Sequence, residues 1–187
     1  MMTNVEREFP SGAAIIIGGS GGVGSVICEK LAQAHSDIAL IYRENKTRAD
    51  EVIAALEKFG IKAKVFPLDI ANSDAVQQCF ANIAETFGSI HTVVNSTGSN
   101  IPMRFINQVP ENIWRQVIDN DLNGFFNIAH AALPYLRQTQ GAFVLISSIG
   151  LQRWPKRDVL SVAPKAGIEA LMKGIADRKS TRLNSSH

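Results

Sequence analysis

Short apolar runs rich in β-branched residues alternate along the chain with longer stretches whose apolar positions recur every three or four residues. The runs "AAIIIG" (13 to 18) and "DIALIY" (37 to 42) predict strands, as do "KAKVFPLDI", "HTVVNSTG" and "GAFVLISS" further on. Between them, "GSVICEKLAQA", "TRADEVIAALEKFG" and "SDAVQQCFANIAETFG" read as amphipathic helices, the last capped by Ser73 and ended at Gly88. A long helix is predicted from about Glu111 to Arg137, ahead of the last strand. Alternation of this kind predicts an α/β fold, a parallel sheet covered by helices on both faces. The irregular segment "GSNIPMRFINQVP" follows the fourth strand's carboxyl end, where open α/β sheets bind ligands.

Composition narrows the function classes. A chain of 187 residues, with hydrophobic residues at 45% and charged ones at 19%, is sized for one globular domain. No apolar run approaches the roughly 20 residues of a membrane helix, and no secretory signal opens the chain, so a cytoplasmic protein without membrane contact is expected. Cys28 and Cys79 stand apart without metal-ligand spacing and read as reduced core residues. Basic and acidic residues balance to a net charge of +2 with no basic stripe, so no nucleic-acid partner is expected. His91 and His130 lack partners at ligand spacing, so no metal is assigned, and Trp114 and Trp154 read as packing residues. The final string "DRKSTRLNSSH" drops the apolar period and resembles the conceptual translation of a sequencing adapter. Residues 1 to 176 are therefore read as a single domain, with 177 to 187 a non-native or disordered tail.

Between the first strand and first helix stands "GGSGGVGS", with Gly18, Gly22 and Gly24 at G-x-x-x-G-x-G spacing. Glycines there allow a sharp turn and close backbone approach to a pyrophosphate, favoured by the free amides and dipole of the helix N-terminus.

With these marks in order, the chain resembles the short-chain dehydrogenase/reductase family over residues 13 to about 176. The family pattern TGxxxGxG appears with Ile17 in place of Thr, followed by "LDI" with Asp69, "NSTG" at 95 to 98 for NNAG, "VIDNDLNG" at 117 to 124 and "ISS" at 146 to 148. The resemblance, nearest to 3-oxoacyl reductase-like members, implies a three-layer Rossmann fold with a doubly wound sheet that lacks the family's last strands. It implies a dinucleotide held by Gly18, Ser20, Gly22, Val23 and Gly24, adenine contacts from Asp69 and Ile70, and Asn95 with Gly98 beneath the nicotinamide side. At the end of the second strand, where an acidic residue would accept from the ribose hydroxyls of NAD, stands Tyr42, followed by Arg43, whose guanidinium suits a 2'-phosphate. NADP(H) is therefore expected over NAD(H).

The resemblance also implies hydride transfer, with a Ser that binds the carbonyl oxygen, a Tyr proton donor, a Lys four residues later and an upstream Asn. Ser148 and Lys165 occupy their positions, but Ser161 stands at the Tyr position and Asp121 at the Asn position. A serine hydroxyl is a poor general acid beside a phenol of pKa near 10, and Ser161, three residues before Pro164, reads as a helix N-cap. Tyr42 and Tyr135, the only tyrosines, fall on a strand end and an outer helix. Two functions follow: an oxidoreductase acting on a small carbonyl or secondary alcohol through an altered site, or a dinucleotide-binding module that has lost turnover. In either case the full-length form is expected to be a homo-oligomer, dimer or tetramer.

Overall fold

The structure is a computed structural model that describes residues 8 to 98 and 101 to 181. The remainder of the polar C-terminal string and two positions of the segment after the fourth strand lie outside the described residues. Five parallel strands form one sheet: β1 (Ala13–Ile17), β2 (Asp37–Tyr42), β3 (Ala63–Pro67), β4 (Ile90–Asn95) and β5 (Ala142–Leu145), in spatial order β3-β2-β1-β4-β5. Helices α1 (Gly22–Gln33), α2 (Lys46–Leu56) and α3 (Ser73–Phe87) connect the first four strands, and α5 (Gly124–Thr139) leads into β5. Each parallel pair needs such a crossover, so the alternation in the sequence becomes the fold directly. The Rossmann-like, doubly wound architecture expected from the sequence is present.

β1 is buried along its whole length because it lies between β2 and β4 and beneath helices on both faces. Its side chains divide by the two-residue period of a strand. Ile15 and Ile17 join Ile41, Phe80, Ile83 and Ile128 in the core under α3 and α5. Ile16 joins Ile38, Leu40, Cys28, Val52 and Leu56 under α1 and α2. The two cysteines are free and buried, and burial pushes their thiols up, to about 12 for Cys28 and about 11 for Cys79.

The chain separates into two compact units. One comprises residues up to Thr97 with Asn127–Ile146, and so holds the sheet; the other comprises Gly98–Phe126 with Ser147 onward. The second is helical: α4 (Glu111–Val117), a π-helical segment (Ile118–Asn123), α6 (Gly150–Arg153) and α7 (Val159–Thr181). Within it, Arg104 pairs with Asp158 in a parallel bridge and donates its amide to the Arg157 carbonyl at 2.9 Å. Gly167 of α7 lies against Leu122 so closely that an added Cβ would sit 3.0 Å from Leu122 Cδ1.

Several local expectations are corrected. Asn72, not Ser73, caps α3, its side-chain oxygen accepting from the Ala75 amide at 3.0 Å. The predicted long helix is α4 and α5 joined by the π segment, where the hydrogen bonds lengthen by one residue. Trp154 does not pack: it sits in the left-handed region at φ 47° with 67% of its surface exposed. Ser161 is not an N-cap, because α7 begins at Val159 and the Asp158 carbonyl accepts from the amides of both Ser161 and Val162. Pro164 consequently falls in the second turn. Apart from these corrections, His91 is fully enclosed, between Ser36 Oγ at 3.3 Å and Thr92 Oγ1 at 2.9 Å, with Phe9 stacked on it.

Candidate functional site

The sheet unit carries most of the nucleotide-site candidates at the carboxyl ends of its strands. Gly18 leaves β1 at φ +79°, a conformation that glycine adopts without strain. Its amide and that of Gly19 both donate to the Ile41 carbonyl, at 3.0 and 3.1 Å, which folds the loop over the end of β2. Gly21 closes the turn onto the Gly18 carbonyl at 3.0 Å and is the N-cap of α1, with no side chain to cap it. The amides of Gly22, Val23 and Gly24 therefore open the helix without intrahelical acceptors.

A Cβ on Gly24 would lie 2.2 Å from the Gly18 carbonyl oxygen, so only glycine lets the helix start seat against the loop. Gly22 meets nothing within 4 Å, and Val23 is 56% exposed. The loop is thus backed by protein on one side and open on the other, with Ser20 half-buried between. Open amides and the positive end of the helix dipole form a cradle for an anionic group.

Further along the strand ends, Arg43 is exposed and pairs with Glu44 at 3.0 Å. Asp69 Oδ1 accepts from the Ala71 amide at 3.0 Å, an Asx turn that shapes the exit from β3. Arg43 and Asp69 line one open cleft of about 500 Å³ with Phe66, Leu68, Ala75 and Cys79. Ile70 is half-buried against the core, and Asn95, 1% exposed, accepts from Thr97 Oγ1 at 2.8 Å.

Two positions here had gone unnoticed in the sequence. Ser96 donates its hydroxyl to the Ile17 carbonyl at 2.7 Å, tying the end of β4 to the start of the glycine loop. Asn127 donates to the Ile70 carbonyl at 3.0 Å and so holds the Asp69 turn. A polar side chain at Asn127, facing inward among the apolar positions of its helix, was the available signal.

The helical unit carries Asp121, Ser148, Ser161 and Lys165, together with Gly98, which is exposed. Ser148 Oγ accepts from the Gly150 amide at 3.0 Å and starts α6. Accepting there leaves its O–H free to be given to another oxygen. Its neighbour Ser147 donates to Glu169 of α7. Ser161 and Lys165 are four residues apart on α7 and share a face.

Lys165 is only 9% exposed, and so is Asp121 in the π segment. Burial pushes the Lys165 ammonium below its ordinary range, because the charged form loses hydration, and the Asp121 carboxylate pushes it back up. Both tyrosines of the chain, Tyr42 and Tyr135, belong to the other unit. Among the described residues no three His, Cys, Asp or Glu side chains group as metal ligands would, and no helix is long and apolar enough to cross a membrane.

A nucleotide-type glycine loop between the first strand and first helix of a five-stranded parallel sheet defines a class. The sequence matches the short chain dehydrogenase family profile over residues 12–182, and the chain belongs to that family of oxidoreductases. It is 28% identical over 175 residues to a 3beta-hydroxysteroid dehydrogenase of Mediterraneibacter gnavus, covering 94% of this chain and 63% of that protein. It is 30% identical over 174 residues to the 3-oxoacyl-[acyl-carrier-protein] reductase FabG of Staphylococcus aureus, covering 91% of this chain and 69% of that one. Among solved structures, a short-chain dehydrogenase/reductase from Mycobacterium ulcerans superposes with a TM-score of 0.86 at 25% identity, covering 92% of this chain and 64% of the other. NAD+-bound xylitol dehydrogenase shares the fold, with a TM-score of 0.87 at 20% identity over 94% of this chain and 67% of its own. The chain thus spans about two thirds of the length of these relatives.

Proposed function

We propose that the protein is an NADP(H)-dependent oxidoreductase that interconverts a small carbonyl compound and a secondary alcohol. The observation that carries the reading is the glycine loop. Its uncapped helix start offers the amides of Gly22, Val23 and Gly24, and its close seat excludes a side chain at Gly24. Those features fit a pyrophosphate held by residues 18 to 24, Ser20 included. Arg43 would take a 2'-phosphate, Asp69 and Ile70 the adenine, and Asn95, Gly98 and Lys165 the nicotinamide ribose side. When bound, the dinucleotide supplies or accepts the hydride. Ser148 keeps a hydroxyl proton for the substrate oxygen, and Lys165 of the same helical unit would supply a cation. The same reading places the protein in the cytoplasm, as a dimer or tetramer of a longer chain, with residues 1 to 176 as one functional domain.

A second reading is a dinucleotide-binding module without turnover. It is favoured by one observation: neither tyrosine lies in the unit that holds Ser148, Ser161 and Lys165, so no phenol stands at the proton-donor position.

Fluorescence titration with NADPH and NADH tests the cofactor. The Arg43–Glu44 pair is exposed on both sides, so it costs little to break in favour of a phosphate. NADPH is expected to bind more tightly, and Arg43→Asp to narrow or reverse the preference by placing like charge opposite the phosphate. Equal binding of both dinucleotides by the unaltered protein contradicts the assignment.

A further inference from the structure

We propose that the substrate carries an anionic group set apart from its carbonyl by an apolar chain, and that the exposed cations Arg104 and Arg157 of the helical unit receive that group. The inference rests on the oxidoreductase reading and names the substrate class within it.

The two arginines belong to separate segments of the helical unit that the backbone ties together. Arg104 pairs with Asp158 in the parallel bridge, and its amide donates to the Arg157 carbonyl. Beside that bridge the Arg157 guanidinium lies over the Phe105 ring, 5.4 Å from its centroid, which restricts where a long side chain can place its charge. Trp154 and Arg157 both stand in the left-handed region, two non-glycine residues within four positions. Such backbone costs free energy and persists only where the surrounding structure imposes it.

These segments are unbalanced in charge. Residues 101 to 110 and 149 to 158 hold four cations, Arg104, Arg153, Lys156 and Arg157, against one carboxylate, Asp158. All four cations are exposed, and among the described residues none is in an ion pair. By contrast, Lys46, Arg48, Lys58 and Arg115 are each matched by a carboxylate. The same segments expose Phe105, Ile149 and Trp154, large apolar side chains left in water.

The patch adjoins the serine proposed to hold the substrate oxygen. A Cβ on Gly150 would lie 3.0 Å from Ser148 Oγ and 3.4 Å from Asp158 Oδ2, so Ser148 and the residue next to Arg157 share a neighbour. Ile149 follows Ser148 directly, and the Trp154 amide donates to the Gly150 carbonyl at 2.8 Å. An anion close to the carbonyl would therefore meet the Asp158 carboxylate and be repelled. Further out it would meet Arg157 and Arg104, with the intervening chain covering Ile149, Trp154 or Phe105. A neutral sugar would leave both the cations and the apolar side chains unanswered. Cations beside an exposed Trp would also suit an anionic bilayer, but contact with Ser148 favours a substrate.

The test uses 7-oxooctanoate and its methyl ester, which share a carbonyl and a chain and differ in charge. Binding is read from Trp154 fluorescence in the whole chain, with Trp114→Phe removing the other tryptophan. The acid is expected to bind about fivefold more tightly than the ester, the scale of one partly exposed charge contact. Added salt should shrink that ratio, as should Arg157→Gln, while Arg157→Lys should keep part of it. Equal binding of acid and ester, or a ratio that neither salt nor Arg157→Gln moves, overturns the proposal. Should Arg157→Gln fail to fold, Arg104→Gln and the salt series decide in the same way. A response of Trp154 to phosphatidylglycerol vesicles but not to the acid overturns it in favour of a membrane contact. With NADPH, the acid is expected to be reduced with the higher kcat/KM. Absence of turnover with both compounds counts against the oxidoreductase reading instead, while the binding ratio still decides the anion site.

Discussion

The sheet unit and the helical unit hold their polar groups by different means. In the sheet unit the glycine loop is a product of backbone geometry: Gly18 and Gly19 hang from the Ile41 carbonyl, Ser96 from that of Ile17, and the proposed binding groups are amides. Side chains around it depart from the family pattern, with Ile17 for Thr and "NSTG" for NNAG, and the cradle forms nonetheless. In the helical unit the candidate chemistry is carried by side chains, so on the proposed reading Ser161 in place of a Tyr and Asp121 in place of an Asn would alter what the site can do. A site made of main chain tolerates drift in its side chains; a site made of side chains is rewritten by it.

The sharpest way to break the first half of the comparison is Gly24→Ala. The methyl would lie 2.2 Å from the Gly18 carbonyl oxygen, a backbone atom that cannot turn aside, and the loop must shift. A cost of about 1–3 kcal/mol in denaturant unfolding is expected, typical of forcing a group into filled space, together with loss of dinucleotide binding. Retention of full affinity by this variant would mean that the cradle is not where the nucleotide sits.

A smaller effect separates the interior of the sheet unit from its surface. His91 is buried neutral, and its pKa lies below the usual value, chiefly because burial disfavours the charged ring. The unfolded chain therefore binds a proton that the fold rejects, so stability is fully present above the unfolded pKa near 6.5 and is lost as pH falls toward the lower folded value. Replacing His91 by Gln should flatten that acid dependence in thermal melts at a series of pH values. An unchanged slope would assign it to the carboxylates.

Much of this was legible in the chain. The runs at 13 to 18 and 37 to 42 become Ala13–Ile17 and Asp37–Tyr42 because β-branched clusters flanked by polar residues leave little choice of strand limits. The glycine loop was readable from its place between strand and helix. What escaped was set by tertiary context. Asn72 and Ser73 are both good caps, and only the course of the chain out of the Asp69 turn decides between them. The start of α7 is fixed by the Asp158 carbonyl after a left-handed Arg157 at φ 66°, which no hydroxyl signal announces. The π segment is invisible because one extra residue per turn barely disturbs an apolar period. The charges at Asp121 and Lys165 were visible singly; their shared burial was not.

The central claim, that the altered helical unit still performs carbonyl chemistry, is tested most directly by the rate of NADPH oxidation over a panel of small ketones and 3-oxoacyl thioesters. Unaltered protein should be compared with Ser161→Tyr and Lys165→Met. Measurable turnover that rises about tenfold or more when Ser161→Tyr supplies a phenol, and that is lost with Lys165→Met, is the expected result, since general acids contribute on that scale and beyond. Tight NADPH binding with no turnover in the unaltered protein would contradict it and make the chain a binding module.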